Sequence, residues 1–144
     1  CGVLNAVRGE LLIDIQKSSS RYGNLFETWV VQELFRLNDY SGAGFKFHYW
    51  RTNSGMEVDI LVSRGMQDPH VAIEIKSHTA PREMDLKGLL AFQSDYPQAR
   101  LVCFCRTPRP YAAGPIDVLP WQEGLAELFP TKGLRTVSVH GVES

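Results

Sequence analysis

Apolar and polar positions change their period along this chain. From about Asn24 to Leu37, the residues Leu25, Phe26, Trp29, Val30, Leu34 and Leu37 recur at helical spacing, which predicts an amphipathic helix. Asn38 to Gly44 reads as a loop. The period then drops to two, and three strands are expected: Phe45 to Arg51, Met56 to Ser63 and Val71 to Ser77. Arg64-Gly65 and Asp68-Pro69 are turn signals in the short link between the last two, so an antiparallel hairpin is the economical connection. A second helix follows Pro81, from about Glu83 to Ser94, and a strand covers Leu101 to Cys105. Pro108, Pro110, Gly114 and Pro115 mark a long loop. Ile116 to Leu119 is a short strand, and Pro120 opens a last helix to about Phe129. Leu11 to Ile15 is apolar but short enough to be helix or strand, and Thr136 to His140 suits a final edge strand. Helices interleaved with a mixed sheet place the chain in the α/β or α+β class.

The strands carry charges where apolar residues are expected. Strict alternation puts Val58, Ile60 and Val62 on one face and Glu57, Asp59 and Leu61 on the other. In the next strand Val71, Ile73 and Ile75 point one way, and Ala72, Glu74 and Lys76 the other. Pairing Ser63 with His70 brings Asp59 opposite Glu74. Such charges are costly in an apolar sheet unless paired or metal-bound. An inter-strand salt bridge to Lys76 satisfies one carboxylate and leaves the other alone. Two neighbouring carboxylates raise each other's pKa unless a cation lies between them, and Mg²⁺ (or Mn²⁺) takes oxygen ligands. Structural ion pair and metal site are both open on spacing alone. Glu27 is a fourth candidate, because Val30, Val31 and Leu34 lie three, four and seven positions on and turn it toward the sheet. Its bland alternative is a carboxylate at the edge of the stripe whose head reaches water. Glu33 differs, since Arg36 can pair with it at the surface.

Composition narrows the setting. The chain has 144 residues, 44% hydrophobic and 22% charged, enough for one domain with a real core. A formal net charge of −1 excludes a broadly basic nucleic-acid binder, so any DNA contact needs a local patch. No apolar run approaches the ~20 residues of a membrane-spanning helix. Cys103 and Cys105 read as small apolar side chains of a buried strand, without the further ligands a zinc site requires. Cysteine usage fits a reducing cytoplasm. Arg100, Arg106 and Arg109 could form a basic patch, although scattered solvated arginines are the simpler reading. Phe45, Phe47, Tyr49 and Trp50 read as sheet core.

Asp59, fourteen residues, then Glu74-Ile75-Lys76 resembles the signature of the PD-(D/E)XK nuclease superfamily. Gly23-Asn24-Leu25-Phe26-Glu27 is similar to the helix motif of its RecB-like members, and Trp50 to Gly55 with Lys76-Ser77 to archaeal Holliday-junction resolvases. Val58 replaces the usual proline. Gln93 and Tyr96 stand three apart where RecB-like members have four, and Gln93 falls on the Leu86, Leu89 and Leu90 side of its helix. The resemblance implies a restriction-endonuclease-like core, a mixed central sheet flanked by helices. It implies Mg²⁺ or Mn²⁺ held by Asp59 and Glu74, with Glu27 as outer or third ligand and Lys76 acting on the attacking water. Gln93 is a candidate substrate contact, and Arg51 either touches a phosphate near the metal or merely pairs with Glu57 or Asp59.

A wider likeness covers nearly the whole chain. Gly23 to Glu27, Val31 to Leu34, Tyr49 to Arg51, Gly55 to Asp59, Ile73 to Lys76 and Val118-Leu119-Pro120-Trp121 resemble an uncharacterised domain. It follows an AAA+-type ATPase module in bacterial and archaeal proteins. Cys1-Gly2-Val3 resemble the tail of an Asp-x-Gly step, which implies that residues 1–20 lead in from an upstream ATPase and that 21–144 form the nuclease-like domain. Two functions follow as expectations: metal-dependent phosphodiester hydrolysis on DNA, or a non-catalytic module that binds nucleic acid or protein, or regulates the ATPase.

Overall fold

A computed structural model describes residues 24–130. The expected lead-in over 1–20, the Cys1 to Val3 step and the Thr136 to His140 strand lie outside the described residues. Helix α1 (Asn24–Ser41) buries Val30, Val31, Leu34 and Phe35 and runs four residues past Leu37. Asn38, taken for the start of a loop, is helical because its side chain has other work. Its amide donates to the Phe45 carbonyl at 2.9 Å and accepts from the Phe45 N–H at 3.0 Å, tying helix to first strand. Gly42 ends the helix at φ +70°, with its N–H on the Asn38 carbonyl, a left-handed cap that only glycine adopts cheaply. At the other end Leu25 is 85% exposed, against its place in the predicted apolar stripe.

Strands β1 (Phe45–Arg51), β2 (Glu57–Arg64) and β3 (Val71–Ile75) form an antiparallel meander. The β2–β3 register, Val62 on Val71 and Ile60 on Ile73, is the one expected from the hairpin. A short 3₁₀ turn (Glu83–Leu86) and helix α2 (Lys87–Asp95) lead to β4 (Arg100–Cys105), parallel to β3. Strand β6 (Ile116–Pro120) continues the parallel run, and β5 (Tyr111–Ala113) pairs antiparallel on its outer side. The predicted loop between Pro108 and Pro115 thus contains an edge strand. Its three residues are largely exposed, so it carries no apolar alternation to detect. Helix α3 (Trp121–Leu128) closes the described fold. The architecture is a mixed six-stranded α/β sheet, in the order β1-β2-β3-β4-β6-β5, flanked by helices.

Two apolar layers sandwich the sheet. One joins α1 and α3 to Ile60, Val62, Ile73, Ile75, Val102 and Phe104. The other joins α2, through Leu86, Leu89 and Phe92, to Val58, Leu61, Ala72, Cys103 and Cys105. Val58 and Leu61 therefore share a face, contrary to strict alternation. The cause is a register shift: His48 faces Leu61 and Trp50 faces Val58, so Tyr49 opposes both Asp59 and Ile60. A β-bulge on β2 falls at Asp59, and bulges re-aim the side chain they carry.

Gly88 holds α2 against this bulged strand. A Cβ there would overlap the Glu57 backbone carbonyl. Gly88→Ala is expected to cost about 1–3 kcal/mol by forcing helix and strand apart, read as a lower urea midpoint. An unchanged midpoint would mean that α2 shifts without cost.

Candidate functional site

Asp59, Glu74 and Lys76 line one cleft of about 270 Å³ beneath the 3₁₀ turn and the start of α2. Each arrives by a local cause. The bulge places Asp59 beside β3, where its Oδ2 accepts the Ile75 N–H at 2.9 Å. Glu74 takes the α2-side face of β3 by ordinary alternation from Ala72. Lys76 follows the last residue of β3, its N–H held by the Phe104 carbonyl at 2.9 Å. Both carboxylates are buried, at 6% exposure. Lys76 Nζ lies 3.3 Å from Glu74 Oε2. The other oxygen, Glu74 Oε1, is buried with no hydrogen-bond partner.

The electrostatics set Lys76 against the two buried carboxylates of Asp59 and Glu74. Burial, opposed in part by Lys76 and the Ile75 N–H, pushes the Asp59 carboxyl up to about 7. Burial and the Asp59 charge push Glu74 well above the usual carboxylate range. For Lys76 burial works downward, but the charges of Glu74, Asp59 and Glu27 overcome it and hold the ammonium protonated. Glu27 is buried at 5% exposure on the first turn of α1. It adds its charge to Asp59, Glu74 and Lys76 without lining the cleft.

The other candidates separate from this cluster. Arg51 is exposed and pairs with Glu57 at 3.1 Å, while the Tyr49 hydroxyl donates to the same carboxylate at 2.9 Å. Gln93 is half-buried on α2 and does not line the cleft. Arg100 is bound to Asp117 and Glu127, at 3.0 and 2.7 Å, so it forms no basic patch with Arg106 and Arg109. Cys103 and Cys105 are buried thiols in the α2-side layer.

Asp85 and Lys87 line the cleft and were not singled out from the sequence. Asp85 closes the 3₁₀ turn, accepting the Arg82 N–H at 2.8 Å. Its only sequence signal is an acidic residue in the first turn after Pro81, which ordinary helix capping also explains.

No three histidine, cysteine, aspartate or glutamate side chains among the described residues form a group able to hold a metal ion. The donor chemistry nonetheless suits a hard cation: two buried carboxylates, all oxygen, with one oxygen left over. Such a cation would take its remaining ligands from water or substrate.

Fold and site together define the class: a mixed α/β domain with a buried carboxylate–lysine cluster where the amino end of β2 meets the carboxyl end of β3. A family model described as a domain of unknown function (DUF4143) matches residues 22–123, and the chain belongs to that family. No curated protein and no solved structure matches the chain. No helix among the described residues is long and apolar enough to cross a membrane.

Proposed function

We propose that this domain is a metal-dependent phosphodiesterase of the PD-(D/E)XK type, acting on nucleic acid. The observation that carries the reading is Glu74 Oε1, buried without a partner beside a second buried carboxylate. A single lysine cannot neutralise both groups, so the pair requires a proton or a further cation. Mg²⁺ or Mn²⁺ held by Asp59 and Glu74 would polarise the phosphate and make water a better nucleophile. The protein supplies the rest. Asp59 is fixed by the Ile75 N–H, which sets its free oxygen. Lys76, protonated and at the cleft wall, stabilises charge gathering on the phosphate and orients the attacking water. Glu27 takes the outer position, its charge holding Lys76 protonated. The matching order of Glu27, Asp59, Glu74 and Lys76 in the superfamily supports this reading, as does a mixed sheet flanked by helices, the architecture the resemblance implies. In this reading the domain follows an AAA+-type ATPase module, as the wider likeness implies, in a cytoplasmic protein, as the cysteine usage suggests.

The test is cleavage of plasmid, single-stranded and branched DNA in Mg²⁺ or Mn²⁺, with Asp59→Ala alongside. Asp59→Ala is expected to abolish cleavage. Equal cleavage by the variant would point to contamination and remove the site assignment. The second reading, a non-catalytic binding or regulatory module, is favoured by the Lys76–Glu74 contact, which already uses the cleft's lysine internally. It predicts no cleavage by wild type and no calorimetric signal for Mg²⁺ or Mn²⁺.

A further inference from the structure

Strands β3, β4 and β6 run parallel and end on one edge of the sheet. Ile75 is level with Phe104, and Cys105 with Pro120. The backbones of Lys76 at the end of β3 and Trp121 after β6 therefore stand about two strand spacings apart, roughly 10 Å, with the Lys76 side chain in the α2-side cleft and Trp121 around the sheet's edge on the α1 and α3 face. A second groove of about 540 Å³ opens there, lined by Arg106, Thr107, Pro108, Pro120, Trp121 and Glu123. Trp121 packs edge-to-face on Trp29 of α1, with ring centres 4.8 Å apart, and on Phe26 at 6.3 Å. Trp29 is 43% exposed. The tryptophan pair joins α1 to the Val118 to Trp121 segment, which the cleft leaves unused.

Cations show what this surface can receive. Arg36, Arg51, Arg82 and Arg100 are held in surface ion pairs, and Arg64 covers the Phe45 ring. Arg106 is exposed and makes no ion pair among the described residues. Glu123 also borders the groove, on the first turn of α3, where the helix N-terminus offsets its charge. A duplex needs rows of cations along its backbone, and four of the described arginines are already held in the ion pairs above. A single strand needs few, because its bases contribute by stacking on aromatic rings.

We propose that the Trp29–Trp121 face with Arg106 is a subsite for single-stranded nucleic acid, one base stacking on the tryptophans and a neighbouring phosphate meeting Arg106. This rests on the phosphodiesterase reading for its substrate class and adds the strand's path, from the tryptophans to Lys76. It is tested on the 144-residue chain in EDTA, where cleavage plays no part. Anisotropy of a labelled twelve-residue oligothymidylate is followed with wild type, Trp29→Ala, Trp29→Phe and Arg106→Ala. Trp29→Ala and Arg106→Ala are each expected to weaken binding about tenfold, with Trp29→Phe close to wild type. Arg106→Ala should also flatten the salt dependence by roughly 0.7 in log–log slope. Unchanged affinity in both alanine variants would overturn the subsite and leave the face to a protein partner. Equal affinity for a duplex of the same length would overturn the single-strand preference. Oligonucleotide binding that survives while metal-dependent cleavage fails would retain the subsite and reject the phosphodiesterase.

Discussion

Lys76→Met is expected to lower metal-dependent phosphodiester cleavage by about 10²- to 10³-fold, the loss found when a preorganised transition-state donor is removed. The side chain keeps its length but loses the ammonium in contact with Glu74. Two roles separate with Lys76→Arg, which keeps the charge but cannot exchange a proton near neutral pH. If Lys76 acts by stabilising phosphate charge, the arginine variant retains much of the activity. If it passes a proton to or from water, the variant is as poor as methionine. Stability moves in parallel. Leaving a buried anion without its partner costs about 3–5 kcal/mol, and Glu74 escapes part of that by taking up a proton, the form burial already favours. The loss should thus be larger at pH 8 than at pH 5, as read from urea midpoints. Wild-type cleavage by Lys76→Met would end the assignment of this lysine.

In EDTA, the domain is expected to become less stable between about pH 4 and pH 7, the opposite of most proteins over that range. The sign follows from Asp59, whose carboxyl moves from an ordinary 3.8 to about 7 on folding. Between those values the folded state binds the proton and the unfolded state does not, so each rise in pH favours unfolding. Asp59 alone contributes roughly 4 kcal/mol across this window, and Glu74 shifts in the same direction. This is a large part of a stability of about 5–15 kcal/mol. Above pH 7 Asp59 is under pressure to ionise, and there a divalent cation would compete with protons for the pair. Adding Mg²⁺ at a hundred times its dissociation constant should recover about 2.7 kcal/mol at pH 8 and very little at pH 5. The double variant Asp59→Asn with Glu74→Gln should flatten the pH curve and lose the Mg²⁺ effect, while its asparagine can still accept the Ile75 N–H. A stability that climbs from pH 4 to pH 7 in EDTA would show that the carboxylates are not buried as the structure has them.

Much of this domain was legible in local pattern because local pattern has local causes. The β1 boundaries, the β2–β3 register and the inward turn of Glu27 follow from periods of two and 3.6. Errors fall where a residue's conformation depends on a distant partner. Asn38 is helical because Phe45 occupies its amide. Leu25 and Trp29, apolar and in phase with the stripe, nonetheless stand exposed. Strand β5 exists only because β6 offers it a ladder. Gln93, placed toward the site by helical phase, misses the cleft.

The sequence by itself determined the order of elements, the hairpin that faces Asp59 with Glu74, and the presence of three charges in apolar strands. It did so because alternation and helical phase are properties of neighbours along the chain. Tertiary structure alone decided that β2 bulges at Asp59, that Gly88 lets α2 close over the strand, and that Lys76 and Trp121 end on one edge. Those features depend on which strand lies beside which, and on the desolvation that follows. Burial of both carboxylates beside Lys76 turns a suggestive spacing into a defined cluster whose carboxyls are pushed above their ordinary range.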